Sequence, residues 1–175
     1  LDKAVDTLIW ILDNHERLKN VFDLLDDEPS RELFVALLRY RVLGPSHVRL
    51  PTNEPGYWTQ YHSINKKYLI KARAVNIPGT LSLNHYVIPS LCGDIHLLCR
   101  PGNVLNTFLL EQYAYKKGDC VVRVKPGDIV IDGGGCWGDT ALYFADRVGP
   151  EGQVYCFEFC QNNLDILEQN LAMNP

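Results

Sequence analysis

The sequence predicts an α/β fold: the start of a doubly wound sheet, preceded by a helical segment and a mixed α+β accessory segment. Three observations predict it. From Val121 onward the pattern reads strand, helix, strand, helix. "VKPGDIVID" is a Pro-Gly turn feeding a continuous apolar run, as expected of a parallel strand covered on both faces. Three consecutive glycines, Gly133, Gly134 and Gly135, end that run, and Gly138 opens the next helix.

Taken in order, residues 1–45 are expected to be helical. Val5, Leu8, Ile9 and Leu12 recur at helical spacing, Leu18, Val21, Phe22 and Leu25 form a second set, and Asp13-Asn14 marks a break between them. The stretch "DDEPSRELFVALLRYRVLGP" has acids and Pro29 at its start and Gly44-Pro45 as its stop, which predicts a third helix. Residues 46–118 read as a strand-rich accessory segment. "TLSLNHYVI" and "DIHLLC" alternate as strands, with turns at "NIPGT" and "RPGN", whereas "VLNTFLLEQYAY" fits both helical and strand periods.

Residues 119–175 carry the sharper pattern. After the glycines, "GDTALYFADRVGP" places Ala141, Ala145 and Val148 on one helix face, with a stop at Gly149-Pro150. "GQVYCFEF" is a second buried strand, and "NNLDILEQNLA" a helix with Leu164, Leu167 and Leu171 in register.

Composition narrows the function classes. Apolar residues make up 46% and charged residues 22%, the balance of an ordinary globular chain with a net charge of -4. Basic pairs such as Lys66-Lys67 and Lys116-Lys117 are short and read as solvated surface, not a nucleic-acid track. No apolar run is long enough to span a membrane, and Leu8 to Leu12 is bracketed by acids with no cleavage pattern after it. A cytoplasmic location follows from that reading. The six cysteines form no CxxC pair, which argues against zinc and for reduced, mostly buried thiols. A start on Leu1 instead of Met hints at chain upstream.

The loop "VIDGGGCWGDT" poses the chemical question. Gly133, Gly135 and Gly138 spell G-x-G-x-x-G, and Glu158 follows 20 residues after the last glycine, which matches a dinucleotide fingerprint. Asp132 argues otherwise, because a carboxylate at the carboxyl end of the first strand would repel a pyrophosphate. Two like charges about 4 Å apart cost about 4 kcal/mol at an effective dielectric near 20. Asp139 adds a second acid, although an acid at a helix start is favourable without any ligand. An acidic loop suits a cation such as the sulfonium of S-adenosylmethionine (SAM). In that reading Asp132 faces the methionine end, Gly133, Gly134, Gly135 and Gly138 bring the cofactor against bare backbone, Glu158 accepts the ribose hydroxyls, and Phe159 packs on the adenine.

Residues 124–175 resemble the opening of a FkbM-type SAM-dependent methyltransferase. Its first motif, hydrophobic-Asp-x-Gly-x-x-x-Gly, falls on Asp132, Gly134 and Gly138, and its Phe-Glu strand end falls on Phe157 and Glu158. Cys136 stands where many relatives have Asn; its backbone would line the methionine pocket without an amide contact. The resemblance implies a Rossmann-like domain, SAM as cofactor, and methyl transfer to oxygen on a sugar, polyketide or other small metabolite. It also implies further strands beyond the two present, so the chain is expected to be the N-terminal part of a longer enzyme, incomplete and inactive alone, with the catalytic base elsewhere.

No catalytic residue is assigned, and His62, His85 and His96 read as structural. The expected partner is a small-molecule methyl acceptor, with no nucleic acid, membrane or metal, and self-association stays open. Two alternatives stand beside this: an NAD(P)-binding oxidoreductase fragment, and a non-catalytic interaction module with a vestigial SAM motif.

Overall fold

The computed structural model describes residues 2–77 and 82–175. The expected turn at "NIPGT" lies largely outside the described residues. The chain is mixed α/β and divides into two compact units, Leu1–Thr59 and Gln60–Pro175. Residues 46–118, expected as one accessory segment, are therefore divided between them.

The first unit holds α1 (Asp2–Asp13), α2 (His15–Leu24) and α3 (Glu28–Leu43). The break between α1 and α2 falls at Asn14, as the sequence predicts. Asp27 caps α3 by accepting the Ser30 N–H at 3.0 Å, Pro29 occupies its first turn, and Gly44 ends it at φ +79°. The apolar stripe of α1, which includes Val5, Leu8, Ile9 and Leu12, is about half exposed along its length.

Helix α4 (Pro55–Tyr68) runs into the second unit. It corrects the strand-rich reading of this segment: Tyr57, Tyr61, Ile64 and Tyr68 recur at helical spacing, and Ile64 is fully buried. Strands β1 (Leu69–Val75), β2 (Leu83–Pro89) and β3 (Asp94–Cys99) form an antiparallel sheet in that order. β2 and β3 pair without interruption, Asn84 opposite Cys99 through Pro89 opposite Asp94. β1 does not: its register against β2 shifts on both sides of Lys71, and Arg73 takes a left-handed φ of +46°. Such a bulge bends a strand and re-aims its side chains.

A short turn, α5 (Pro101–Asn103), leads into a π-helical stretch at Val104–Leu109, so "VLNTFLLEQYAY" resolves as wide helix followed by loop. Strands β4 (Tyr115–Lys117) and β5 (Cys120–Val122) make a small hairpin. Next come β6 (Ile129–Gly133), α6 (Asp139–Val148), β7 (Gln153–Phe157) and α7 (Gln161–Ala172), with β6 and β7 parallel and in register from Ile129 opposite Gln153.

The β6–β7 pair differs from expectation in one respect. Its side chains alternate between a covered face, with Val130, Asp132, Val154 and Cys156, and an open one. On the open face Ile131 is 75% and Phe157 61% exposed, with Ile129 and Tyr155 beside them. The continuous apolar run therefore reports two apolar faces of which the described residues cover one.

Helix α7 is anchored by polar residues. Its buried face is Ile166, Leu167 and Asn170, and the expected Leu171 is exposed. Ile166 joins Leu83 and Leu98 in a core cluster against which Trp137 and Met173 pack. Asn170 Oδ1 accepts the Leu98 N–H at 2.7 Å while its Nδ2 donates to the Leu98 carbonyl at 3.1 Å. Asn174 does the same to His96, at 2.8 and 2.7 Å. Four residues of helix rise about 6 Å and two residues of strand about 6.6 Å, so the two side chains meet alternate residues of β3 as a neighbouring strand would. On α6 the buried residues run from Asp139 to Phe144 and include Val148, but Ala145 is exposed.

Candidate functional site

The glycine loop joins the carboxyl end of β6 to the start of α6, and its three glycines have different reasons to be glycine. Gly134 has φ +91°, a conformation that L side chains rarely adopt. At Gly135 a Cβ would lie 2.0 Å from Cys156 Sγ and 3.4 Å from Asp132 Oδ2, so the backbone passes directly over the covered face of the sheet. Gly133 has neither constraint: a side chain there would meet nothing within 4 Å, on the open face beside Phe157.

Asp132 does not point into the crevice as expected. It lies on the covered face, 8% exposed, and accepts the Thr140 hydroxyl at 2.6 Å. The Cys156 thiol, pushed up to about 11 by burial and by the Asp132 carboxylate, stays protonated and donates to the same oxygen at 3.6 Å. Asp139, also buried, reaches sideways to the π-helical region and accepts from Asn103 Nδ2 at 3.1 Å and Thr107 Oγ1 at 2.9 Å. Burial raises its carboxyl above the usual range, and nearby Asp132 adds to the rise. Asp139 is thus more than a helix-start acid: it ties α6 to α5 and the π-helix.

Glu158 follows the carboxyl end of β7 and gathers the loops around itself. One oxygen accepts the Phe159 and Cys160 N–H groups, both at 2.8 Å; the other accepts the Cys136 N–H at 2.9 Å and Asn163 Nδ2 at 3.3 Å. These bonds, that of Cys160 foremost, hold its carboxyl below the usual range. Phe159 beside it is 96% exposed. Among the described residues no lysine or arginine forms an ion pair with Asp132, Asp139 or Glu158.

The loop amides are largely spent. Gly134 and Gly135 N–H both donate to the Phe157 carbonyl, at 2.8 and 3.0 Å, Gly138 N–H to the Gly135 carbonyl at 2.7 Å, and Cys136 N–H to Glu158. Cys136 takes φ +46°, a left-handed conformation that asparagine tolerates better than cysteine. Its thiol is raised above its usual range, chiefly by burial.

The structure therefore brings Gly133, Gly134, Gly135, Cys136, Gly138, Glu158 and Phe159 to one rim, with Asp132 beneath it. Two further features were missed by sequence reasoning. His85 and His96 lie 3.1 Å apart across β2 and β3, a pairing that only the register reveals; burial, His96 and Lys71 lower the His85 pKa. The tie from Asp139 to Thr107 depends on the π-helical turn, which has no clear sequence signature.

All six cysteines are free, and only Cys99 is buried, contrary to the expectation of mostly buried thiols: Cys92, Cys120 and Cys160 sit in exposed turns, strand ends or caps. Among the described residues no three His, Cys, Asp or Glu side chains group as metal ligands, and no helix is long and apolar enough to cross a membrane. Compared with known proteins, the chain matches no family model and no curated sequence.

Proposed function

We propose that residues 119–175 form the cofactor-binding part of a SAM-dependent methyltransferase. The observation that carries this reading is the fate of the loop amides. A glycine-rich loop that holds a pyrophosphate turns its N–H groups toward the ligand ahead of the helix, and here the loop N–H groups of Gly134, Gly135, Cys136 and Gly138 all have partners within the protein. With three carboxylates nearby and no cation paired to them, the rim favours a positively charged nucleoside over a dinucleotide.

The residues fit such a group. Gly133 leaves bare backbone open to an approaching ligand, and Phe159 offers an exposed aromatic face to a purine. Asp132 acts from below as a fixed negative charge, oriented by Thr140. Glu158 has its acceptor sites filled by the loop, so accepting a ribose hydroxyl requires exchange of one contact, most readily the long one from Asn163. SAM, when bound, supplies an electrophilic methyl group to an acceptor oxygen. The contribution of this chain is positioning, not proton transfer, and the acceptor belongs to the class of sugars, polyketides or other small metabolites.

Calorimetry tests the reading. Asp132→Asn, which keeps shape while removing charge, and Glu158→Ala should each weaken SAM binding at least tenfold, about 1.4 kcal/mol. Thermal shifts with SAM and S-adenosylhomocysteine, but not with NAD, are expected. A shift with NAD alone would reverse the assignment.

A further inference from the structure

A polar groove in the second unit has an unusual wall. Tyr61, Arg73, Asn84 and Arg100 line a cavity of about 310 Å³. Tyr61 and Arg100 also line a second cavity of about 310 Å³, with Asn103, Asn106, Thr107 and Gln112 on its far side. The two spaces thus share a wall and read as one groove, cationic at one end and lined by neutral hydrogen-bonding groups at the other.

Three features set this groove apart from ordinary surface. Neither Arg73 nor Arg100 forms an ion pair among the described residues, whereas Arg147 is matched to Glu111 and Asp146. Arg73 sits at the β1 bulge with φ +46°, a left-handed conformation that costs an arginine more than a glycine. The bulge is held in place from below: Asn84 Oδ1 accepts the Arg73 N–H at 2.9 Å, Asn84 Nδ2 donates to Tyr86 Oη at 2.8 Å, and that hydroxyl donates to Asn65 at 2.7 Å. Tyr86 is fully buried, so this chain is a fixed floor. Strain maintained by a polar network that ends on the buried Tyr86, beside two guanidinium groups without an ion pair, points to a ligand.

We propose that the groove binds an anionic, hydroxyl-bearing small molecule, its phosphate or carboxylate held by Arg73 and Arg100. Guanidinium groups match both oxyanions through paired N–H donors, and the Asn106 and Gln112 side chains at the other end suit hydroxyls. Thr107 and Asn103 also hold Asp139 at the start of α6, so the neutral end of the groove lies beside the helix that follows the glycine loop. As the anchor of a methyl acceptor, the groove rests on the cofactor reading above; as an anion site, it does not.

Titration of the whole chain followed by nuclear magnetic resonance, with glucose 6-phosphate, citrate and inorganic phosphate, tests this. Saturable shifts of Arg73 and Arg100 side-chain signals are expected, stronger for glucose 6-phosphate if the group is a phosphate and for citrate if it is a carboxylate. Arg73→Ala and Arg100→Ala should each weaken binding at least tenfold, and Arg39→Ala, in the first unit, should leave it unchanged. Arg73→Gly separates function from folding: it relieves the left-handed strain, so the melting midpoint should rise while anion binding falls. No saturable binding of any of the three probes, or binding that survives both alanine variants, would overturn the proposal. A parallel SAM titration keeps the readings distinct, because anion binding without SAM binding rejects the cofactor assignment and leaves the groove standing.

Discussion

β3 ends its sheet on side-chain amides from α7 and the residues just after it, whereas the β6–β7 pair has no further strand on either side among the described residues and leaves four large apolar side chains open on one face. Both are short sheets in one compact unit, and both begin from alternating or continuous apolar sequence. The difference lies in what meets the backbone. Along the β3 edge, polar side chains complete the hydrogen bonding of the strand; at the second sheet, the loop after β6 spends its amides internally and keeps its open space above Gly133. The β3 edge is closed by side chains, whereas the loop end of β6 is left open to a cofactor.

Substitutions can break this contrast, and the largest effect is expected within the glycine loop. Gly135→Ala places a Cβ against Cys156 Sγ and should cost about 3 kcal/mol or more, since close-packed sites yield little to added atoms. Gly133→Ala, into open space, should leave the denaturation midpoint nearly unchanged while weakening SAM. Equal destabilisation by both would remove the distinction between them.

Asn170→Ala should come next. It strands the Leu98 N–H and carbonyl and the Trp137 carbonyl, which Asn170 Nδ2 reaches at 2.7 Å, at a cost of about 2–3 kcal/mol in urea unfolding. Asn174→Ala, in a less buried position, should cost about 1 kcal/mol. A reversed order would mean that the end of α7 carries the docking.

Smaller effects sharpen the comparison. Cys136→Asn should stabilise by about 0.5–1 kcal/mol, because asparagine accepts the left-handed φ with less strain. Acid should act on the Glu158 loop: its folded pKa is depressed, so its stabilisation is complete above the ordinary carboxylate pKa and is lost as pH falls through the lower, folded value. Amide exchange at Phe159 and Cys160 should accelerate, after correction for intrinsic rates, across that acidic window, and Glu158→Gln should flatten the change. The first sheet responds in a different window. His85 is depressed, so the unfolded chain takes up its proton first and stability should fall as pH drops below about 6.5; His85→Gln should abolish that slope.

Periodicity and punctuation made much of the fold legible. The caps of α3, the break at Asn14, the paired runs that become β2 and β3, and the order from β6 to α7 all follow from local signals whose physics is local. What was not legible depends on partners distant in sequence. A Leu-based stripe on α7 gives way to Asn170 because the unpaired groups of β3, more than 70 residues earlier, decide what that face must offer. Helix α4 was hidden by aromatics that serve strand and helix alike. At the loop, the glycines marked the turn after β6, and the sequence order put Glu158 just beyond β7. The orientation of Asp132 was not, since the alternation that puts it on the covered face becomes clear only once α6 is seen to lie there.

The asparagine clamp has one more consequence. Were α7 to peel away in a partial opening, β3 would present two freed residues to any other extended chain, and an edge now silenced would become a template for association. Resistance of this protein to clumping at warm temperatures should therefore track how firmly α7 stays seated, more than how well its helical first unit is packed.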